Sequence, residues 1–186
     1  MGTLFLDELE GMSPALQVKL LRVIQEKGVD YAYETGVKLI IVLDCGIKAV
    51  EEIAYAKEKG IDFIICDHHV PDDVLPPAVA ILNAKRPDAT YPYEHLSGCG
   101  VGFKFMQAFA LNNGIEFNQL TPLLDLVAVS VASDIVPIMG ENRVLTYHGL
   151  KQLNSNPSVG LKAISSKLSL LVHFERHHSD NSLSLW

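Results

Sequence analysis

Two short apolar runs, each closed by an acid and separated by one amphipathic stretch, constrain this chain more than any other feature. The first, Val37 to Leu43 (VKLIIVL), is rich in branched side chains and ends at Asp44-Cys45-Gly46. Such a run predicts a strand buried on both faces. The next stretch, IKAVEEIAYAKEKG, places Ile47, Val50, Ile53 and Ala54 at helical spacing, with Lys57 and Lys59 in the last turn and Gly60 as the stop. The second run covers Ile61 to Cys66 and ends at Asp67-His68-His69. A strand, helix, strand unit of this length pairs its strands in parallel through a right-handed crossover. The expected fold class is therefore α/β, a parallel sheet with flanking helices.

That geometry carries chemistry. In a parallel pair both carboxyl ends emerge on one edge, and ligand sites form outside those ends. Asp44 and Asp67-His68-His69 are thus expected to face one crevice. Two carboxylates with imidazoles suit Mn²⁺ or Mg²⁺ better than zinc held by thiolates. The alternative is that Asp44 and Asp67 only cap the turns after their strands; the two histidines that follow Asp67 favour the metal reading.

Downstream, Ala78 to Leu82 reads as a third strand, and the polar stretch AKRPDATYPYEHL leads to Ser97-Gly98-Cys99-Gly100-Val101-Gly102 and the helical pattern FKFMQAFAL. The glycine spacing is not the dinucleotide fingerprint. Small residues at a helix start either admit an anion to the backbone N–H groups or permit a tight turn and close packing. The stretch LLDLVAVSVASDIVP predicts a buried helix from Pro122 toward Pro137, with Asp134 a notable charge near its end and Asp125 a helix-start residue whose dipole or capping role suffices. Gly140-Glu141-Asn142-Arg143 opens another amphipathic helix with Leu145, His148, Leu150 and Leu153. There Arg143 either clamps a phosphate or pairs with an acid, and His148 is expected to be a packed helix residue.

Composition narrows the function classes. The net charge of −7 argues against a basic surface over the whole chain, yet residues 30–165 hold nearly all of the acidic excess, in the segment with Asp44, Asp67 and Asp134. A nucleic-acid enzyme whose acids hold metal ions stays open. The mean hydropathy of +0.20 does not make a membrane protein: runs such as Leu39 to Leu43 and Leu126 to Val129 fall far short of the roughly 20 residues a bilayer needs. The start lacks the layout of a secretory signal, so a cytoplasmic protein is expected. Cys45, Cys66 and Cys99 read as reduced, buried thiols.

Taken in order, LDCG, ICDHH, SGCGVGFK, VASDIVP and GENR resemble the DHH phosphoesterase superfamily, and more narrowly its single-stranded-DNA-specific exonucleases, over about residues 30–164. The resemblance implies a Mn²⁺- or Mg²⁺-dependent hydrolase that removes nucleotides from the 5′ end of single-stranded DNA. By the same resemblance Asp44, His68 and Asp134 are metal ligands, while Asp67 and His69 support the site. Ser97, Gly98 and Gly100 match the glycine-rich segment beside it, and Arg143 is a substrate-binding candidate. Nano-RNA, cyclic-dinucleotide or pyrophosphate hydrolysis is the alternative within the superfamily.

Residues 1–29 differ. GTLFLDELEGMSPALQVKLLRVIQEK resembles the Walker B region of AAA+ transcription activators, with Asp7 and Glu8 in the acidic positions, but no GxxxxGK[ST] loop accompanies it. The superfamily's Asp-rich first motif is expected before residue 30 and does not occur there, which implies an incomplete domain with impaired activity. The expected division is 1–29, an AAA+-like fragment; 30–164, a partial DHH phosphoesterase domain ending in a helical segment; and 165–186, a tail without assignment. The tail's His173, His177 and His178 read as solvated. An ATPase or activator module and a non-functional chimera are the readings from other classes.

Overall fold

The structure, a computed structural model, describes residues 28–168. The Walker B-like stretch with Asp7 and Glu8, and the tail histidines, lie outside the described residues. A helix covers residues 28–34. It is followed by β1 (Leu39–Leu43), α1 (Val50–Glu58), β2 (Asp62–Cys66) and β3 (Ala80–Leu82). The strands form a three-stranded sheet in the order β1-β2-β3, with both neighbouring pairs parallel. Then come α2 (Gly98–Asn112), 3₁₀ turns at Phe117–Gln119 and Thr121–Leu123, α3 (Leu124–Ser133), α4 (Gly140–Ser155) and α5 (Val159–Leu168).

The crossover is built as its sequence suggests, with one shift. Gly60 closes α1 in the left-handed region (φ +72°), its N–H bonding Lys57 O and the Ile61 N–H bonding Ala56 O. That is the Schellman closure, which a glycine permits without strain. The helix begins at Val50 rather than Ile47, and the Ile47 N–H bonds the Asp67 carboxylate at 2.9 Å.

Period-two alternation divides β2 between two cores. Phe63 and Ile65 join Val29, Ala32, Ile53 and Ala56 on one face, whereas Cys66 and Ile64 join Leu96, Val101, Val127 and Leu145 on the other. The expectation that β1 is buried on both faces fails. Leu39, Ile41 and Leu43, which share one face, are 47%, 45% and 53% exposed, and only Ile40 and Val42 on the other face join a core.

Four further expectations are corrected. The helix between Pro122 and Pro137 is shorter, an α-helix over Leu124–Ser133 after a 3₁₀ turn. Its two acids exchange their expected environments: Asp125 is fully buried, accepting from Leu126 N–H at 2.7 Å and Ser158 N–H at 2.6 Å, so it pins the start of α5. Asp134 is half-buried at the C-cap, and Ile135 after it adopts φ +51°, a left-handed conformation costly for a β-branched residue. His148 is exposed rather than packed, since α4 buries Asn142, Leu145, Thr146, Gly149 and Leu150 instead. Cys45 is likewise exposed, while Cys66 is buried. Among the described residues no helix is long and apolar enough to cross a membrane.

Helices α3 and α4 cross at Gly149, where an added Cβ would lie 2.2 Å from Leu124 O and 2.7 Å from the Ala128 Cβ. The obstruction is partly backbone and cannot rotate away. Overpacking of this kind costs about 3 kcal/mol, more than the roughly 1 kcal/mol of helix propensity that alanine gains over glycine. Gly149→Ala is therefore expected to lower the melting temperature by several degrees, and an unchanged melt would argue against this crossing.

Candidate metal centre

The register sets Leu43 opposite Cys66, so Asp44 and Asp67 leave the same edge of the sheet side by side, and the Asp44 N–H bonds Cys66 O at 2.8 Å. Asp44 sits in the left-handed region (φ +63°), which Asp tolerates better than most residues. The two acids then do different things.

Asp67 is 1% exposed, and its oxygens are used up within the protein. Oδ2 accepts from Ile47 N–H at 2.9 Å; Oδ1 accepts from His68 N–H at 2.7 Å, His69 N–H at 3.1 Å and His69 Nδ1 at 2.7 Å. Burial by itself would raise its pKa, yet the bonds from Ile47 and His69 together hold it below the ordinary carboxylate value. It orients the turn.

His68 Nδ1 lies 3.1 Å from Leu96 O. A carbonyl only accepts, so Nδ1 carries a proton, and the opposite nitrogen, Nε2, lies 3.2 Å from Asp44 Oδ1. In the neutral ring those two atoms are both acceptors and demand a cation or a proton between them. The Asp44 carboxylate accordingly holds the His68 pKa above the usual histidine value, against burial. His69 repeats the pattern with its Nδ1–H on Asp67, a carboxylate–histidine couple of the kind that presents the other nitrogen to a metal. Ligand atoms of Asp44, His68 and His69 all lie within 4.8 Å of one another.

Asp134 approaches from α3. Its Oδ2 accepts from Gly98 N–H and Ser130 Oγ–H, each at 3.2 Å, while a Cβ on Gly98 would lie 1.9 Å from Asp44 Oδ1. The two carboxylates thus flank one glycine, although Asp134 is not in the 4.8 Å group. A carboxylate at a helix C-terminus is disfavoured by the dipole, which a nearby cation would offset. Ser97 caps α2 by accepting from Gly100 N–H at 3.1 Å, so the Gly98 and Gly100 amides are both engaged internally. What the glycines supply directly is close approach. Gly102 does the same under Leu43, where a Cβ would meet Cδ2 at 3.1 Å.

Thiolates are not part of the donor set. Burial, aided by Asp134 and Asp44, pushes the Cys99 thiol up to about 11. Oxygen and imidazole donors alone fit a hard or borderline divalent cation.

Arg143 is exposed on α4 and makes no ion pair among the described residues. Its neighbour Glu141 instead bonds Lys104 Nζ at 2.7 Å and accepts from the Tyr91 hydroxyl. Two contributors escaped sequence reasoning. Asn83, 6% exposed, donates to His69 O at 2.8 Å and accepts from Lys85 N–H, and the Lys85 charge opposes protonation of His68. Asn83 directly follows β3, and the rule that singles out Asp44 and Asp67, a polar residue at a carboxyl strand end, would have found it.

The parallel sheet carries carboxylates and paired histidines at its carboxyl edge, and the sequence profile "DHH family, N-terminal domain" matches residues 5–131. The chain belongs to the DHH family. Its relatives include the single-stranded-DNA-specific exonuclease RecJ of Bacillus subtilis, 43% identical over 131 residues (70% of this chain, 16% of the relative). The RecJ of Escherichia coli is 37% identical over 146 residues (73% and 25%). A crystal structure of exonuclease RecJ bound to manganese superposes with TM-score 0.67 and 29% identity over 78% of this chain and 36% of that one. RecJ from Thermus thermophilus in complex with Mn²⁺ gives 0.65 at 29% identity, covering 77% and 21%. The chain thus spans from 16% to 25% of the length of these two sequence relatives.

Proposed function

We propose that this chain carries the metal-holding part of a cytoplasmic hydrolase that removes nucleotides from the 5′ end of single-stranded DNA, in DNA repair and recombination. The observation that carries the reading is the pair of facing acceptors, His68 Nε2 and Asp44 Oδ1, 3.2 Å apart at the carboxyl edge of a parallel sheet. It accords with relatives named as single-stranded-DNA-specific exonucleases and structures named as manganese-bound.

Asp44 and His68 would hold Mn²⁺ or Mg²⁺, with His69 in the same group of ligand atoms and Asp134 on the far side of Gly98 as a further donor. When bound, such an ion supplies a Lewis acid and an acidified water for phosphodiester hydrolysis. The protein's own groups prepare that site. Leu96 O keeps the His68 lone pair turned toward Asp44, and Asp67 does the same for His69. Gly98 lets α2 come close enough for Asp44 and Asp134 to share one edge. Ser97, Gly98 and Gly100 shape the wall beside the scissile phosphate, and Arg143 and Lys85 offer positive charge to the DNA backbone, which an acidic chain otherwise repels.

The test is Mn²⁺-dependent release of nucleotides from 5′-labelled single-stranded DNA, with a duplex of the same sequence beside it. Slow release from the single strand is expected, falling to the metal-free background in His68→Ala. Release that persists in His68→Ala, or that prefers the duplex, defeats the reading.

A further inference from the structure

We infer that Asn142 is a positioning residue for the metal centre, clamping together the two chain segments that bring its outer partners into place. This rests on the metal-centre reading above. Asn142 is 0% exposed in the first turn of α4. Its one amide nitrogen donates to His95 O at 2.6 Å and to Pro137 O at 3.0 Å, so both of its protons are spent across 47 and 5 residues of sequence.

The clamped carbonyls lie beside groups that shape the site. On one side, His95 is followed by Leu96, whose carbonyl sets the proton on His68 Nδ1, and by Gly98, whose N–H holds Asp134. On the other, Pro137 lies three residues beyond Asp134. Tyr93 closes the same gap from outside, its hydroxyl 2.8 Å from Met139 O and 3.2 Å from Pro137 O. Its ring comes so near Gly140 that a Cβ there would lie 2.7 Å away.

The side chain is not there to fill the core. Among the described residues Asn142 Oδ1 has no partner, and neither has Thr146 Oγ1 one turn on. A leucine would pack at this position without burying an unpaired oxygen. What leucine cannot do is hold two carbonyls. Thr146, buried on the same face and 1% exposed, makes no bond to either segment and serves as the control.

The experiment measures Mn²⁺ binding to the full chain by calorimetry for wild type, Asn142→Leu, Thr146→Val and Tyr93→Phe, with melting temperatures taken without metal. Loss of an outer-shell support weakens metal binding roughly 10- to 100-fold. Asn142→Leu is expected to fall in that range while it stays folded, Tyr93→Phe to lose about threefold to tenfold, and Thr146→Val to bind as wild type. The ¹⁵N resonances of His68 supply a readout that packing alone would not move: freeing His95 should shift its proton from Nδ1 toward Nε2. A folded Asn142→Leu that binds Mn²⁺ as wild type overturns the inference. If Asn142→Leu does not fold, unchanged binding by Tyr93→Phe overturns it in turn. Failure of the parent reading looks different, because wild type itself would then bind no Mn²⁺, or Asp44→Asn would bind it equally well.

Discussion

His68→Ala and Asp44→Asn are each expected to abolish the stabilisation of this chain by Mn²⁺. A ligand at about 100 times its Kd contributes about 2.7 kcal/mol, which for a chain of this size raises the melting temperature by roughly 5–10 °C. The two side chains meet through His68 Nε2 and Asp44 Oδ1; His68→Ala removes the first of those ligand atoms and Asp44→Asn removes the charge on the second. His68→Ala also releases Leu96 O, whereas Asp44→Asn keeps the shape of the site and removes only charge. Loss of the metal shift in both, with a metal-free melt near wild type for Asp44→Asn, assigns the effect to ligation. A full shift surviving in Asp44→Asn would remove the centre from consideration.

The second large effect is on stability. Asp67→Asn should destabilise the chain by about 3 kcal/mol, since charge-assisted hydrogen bonds contribute about 1.5–3 kcal/mol each and Ile47 N–H is left facing an amide or nothing. Ile47 is 1% exposed, so water cannot take the vacant place, whereas the N–H of the exposed His69 can recover part of its loss. The pH dependence has a definite sign. Folding lowers the pKa of Asp67, so its contribution is complete above the unfolded carboxylate value and is lost as pH falls through the lower folded one. Wild type and Asp67→Asn should therefore differ fully at pH 7 and converge in acid below about pH 4. A difference that is the same at pH 3 as at pH 7 would show that Asp67 acts through packing and not through its charge.

Much of the centre is legible in the chain because it sits where local rules reach. The runs ending at Leu43 and Cys66 and the helix between them specify a parallel pair, and a parallel pair puts Asp44 and Asp67-His68-His69 on one edge. What the runs do not specify is what covers them: β1 has the composition of a central strand and lies at the edge of the described sheet. The acids of α3 are misread for a related reason. Apolar neighbours in sequence suggest that Asp134 is buried, but burial belongs to the helix face, and that face turns Asp125 toward Ser158 N–H, 33 residues away.

The sequence by itself determines the strand, helix, strand unit and the acids and imidazoles at its carboxyl edge, since both follow from periodicity and the handedness of one crossover. Only the tertiary structure decides which acid is buried as a brace and which stays exposed at the edge. It also decides which nitrogen of His68 is free and that Asn142 clamps two distant loops. Those properties depend on hydrogen-bond partners 20 to 47 residues away, Ile47 for Asp67, Leu96 for His68 and His95 for Asn142, and no local pattern encodes a partner at that range.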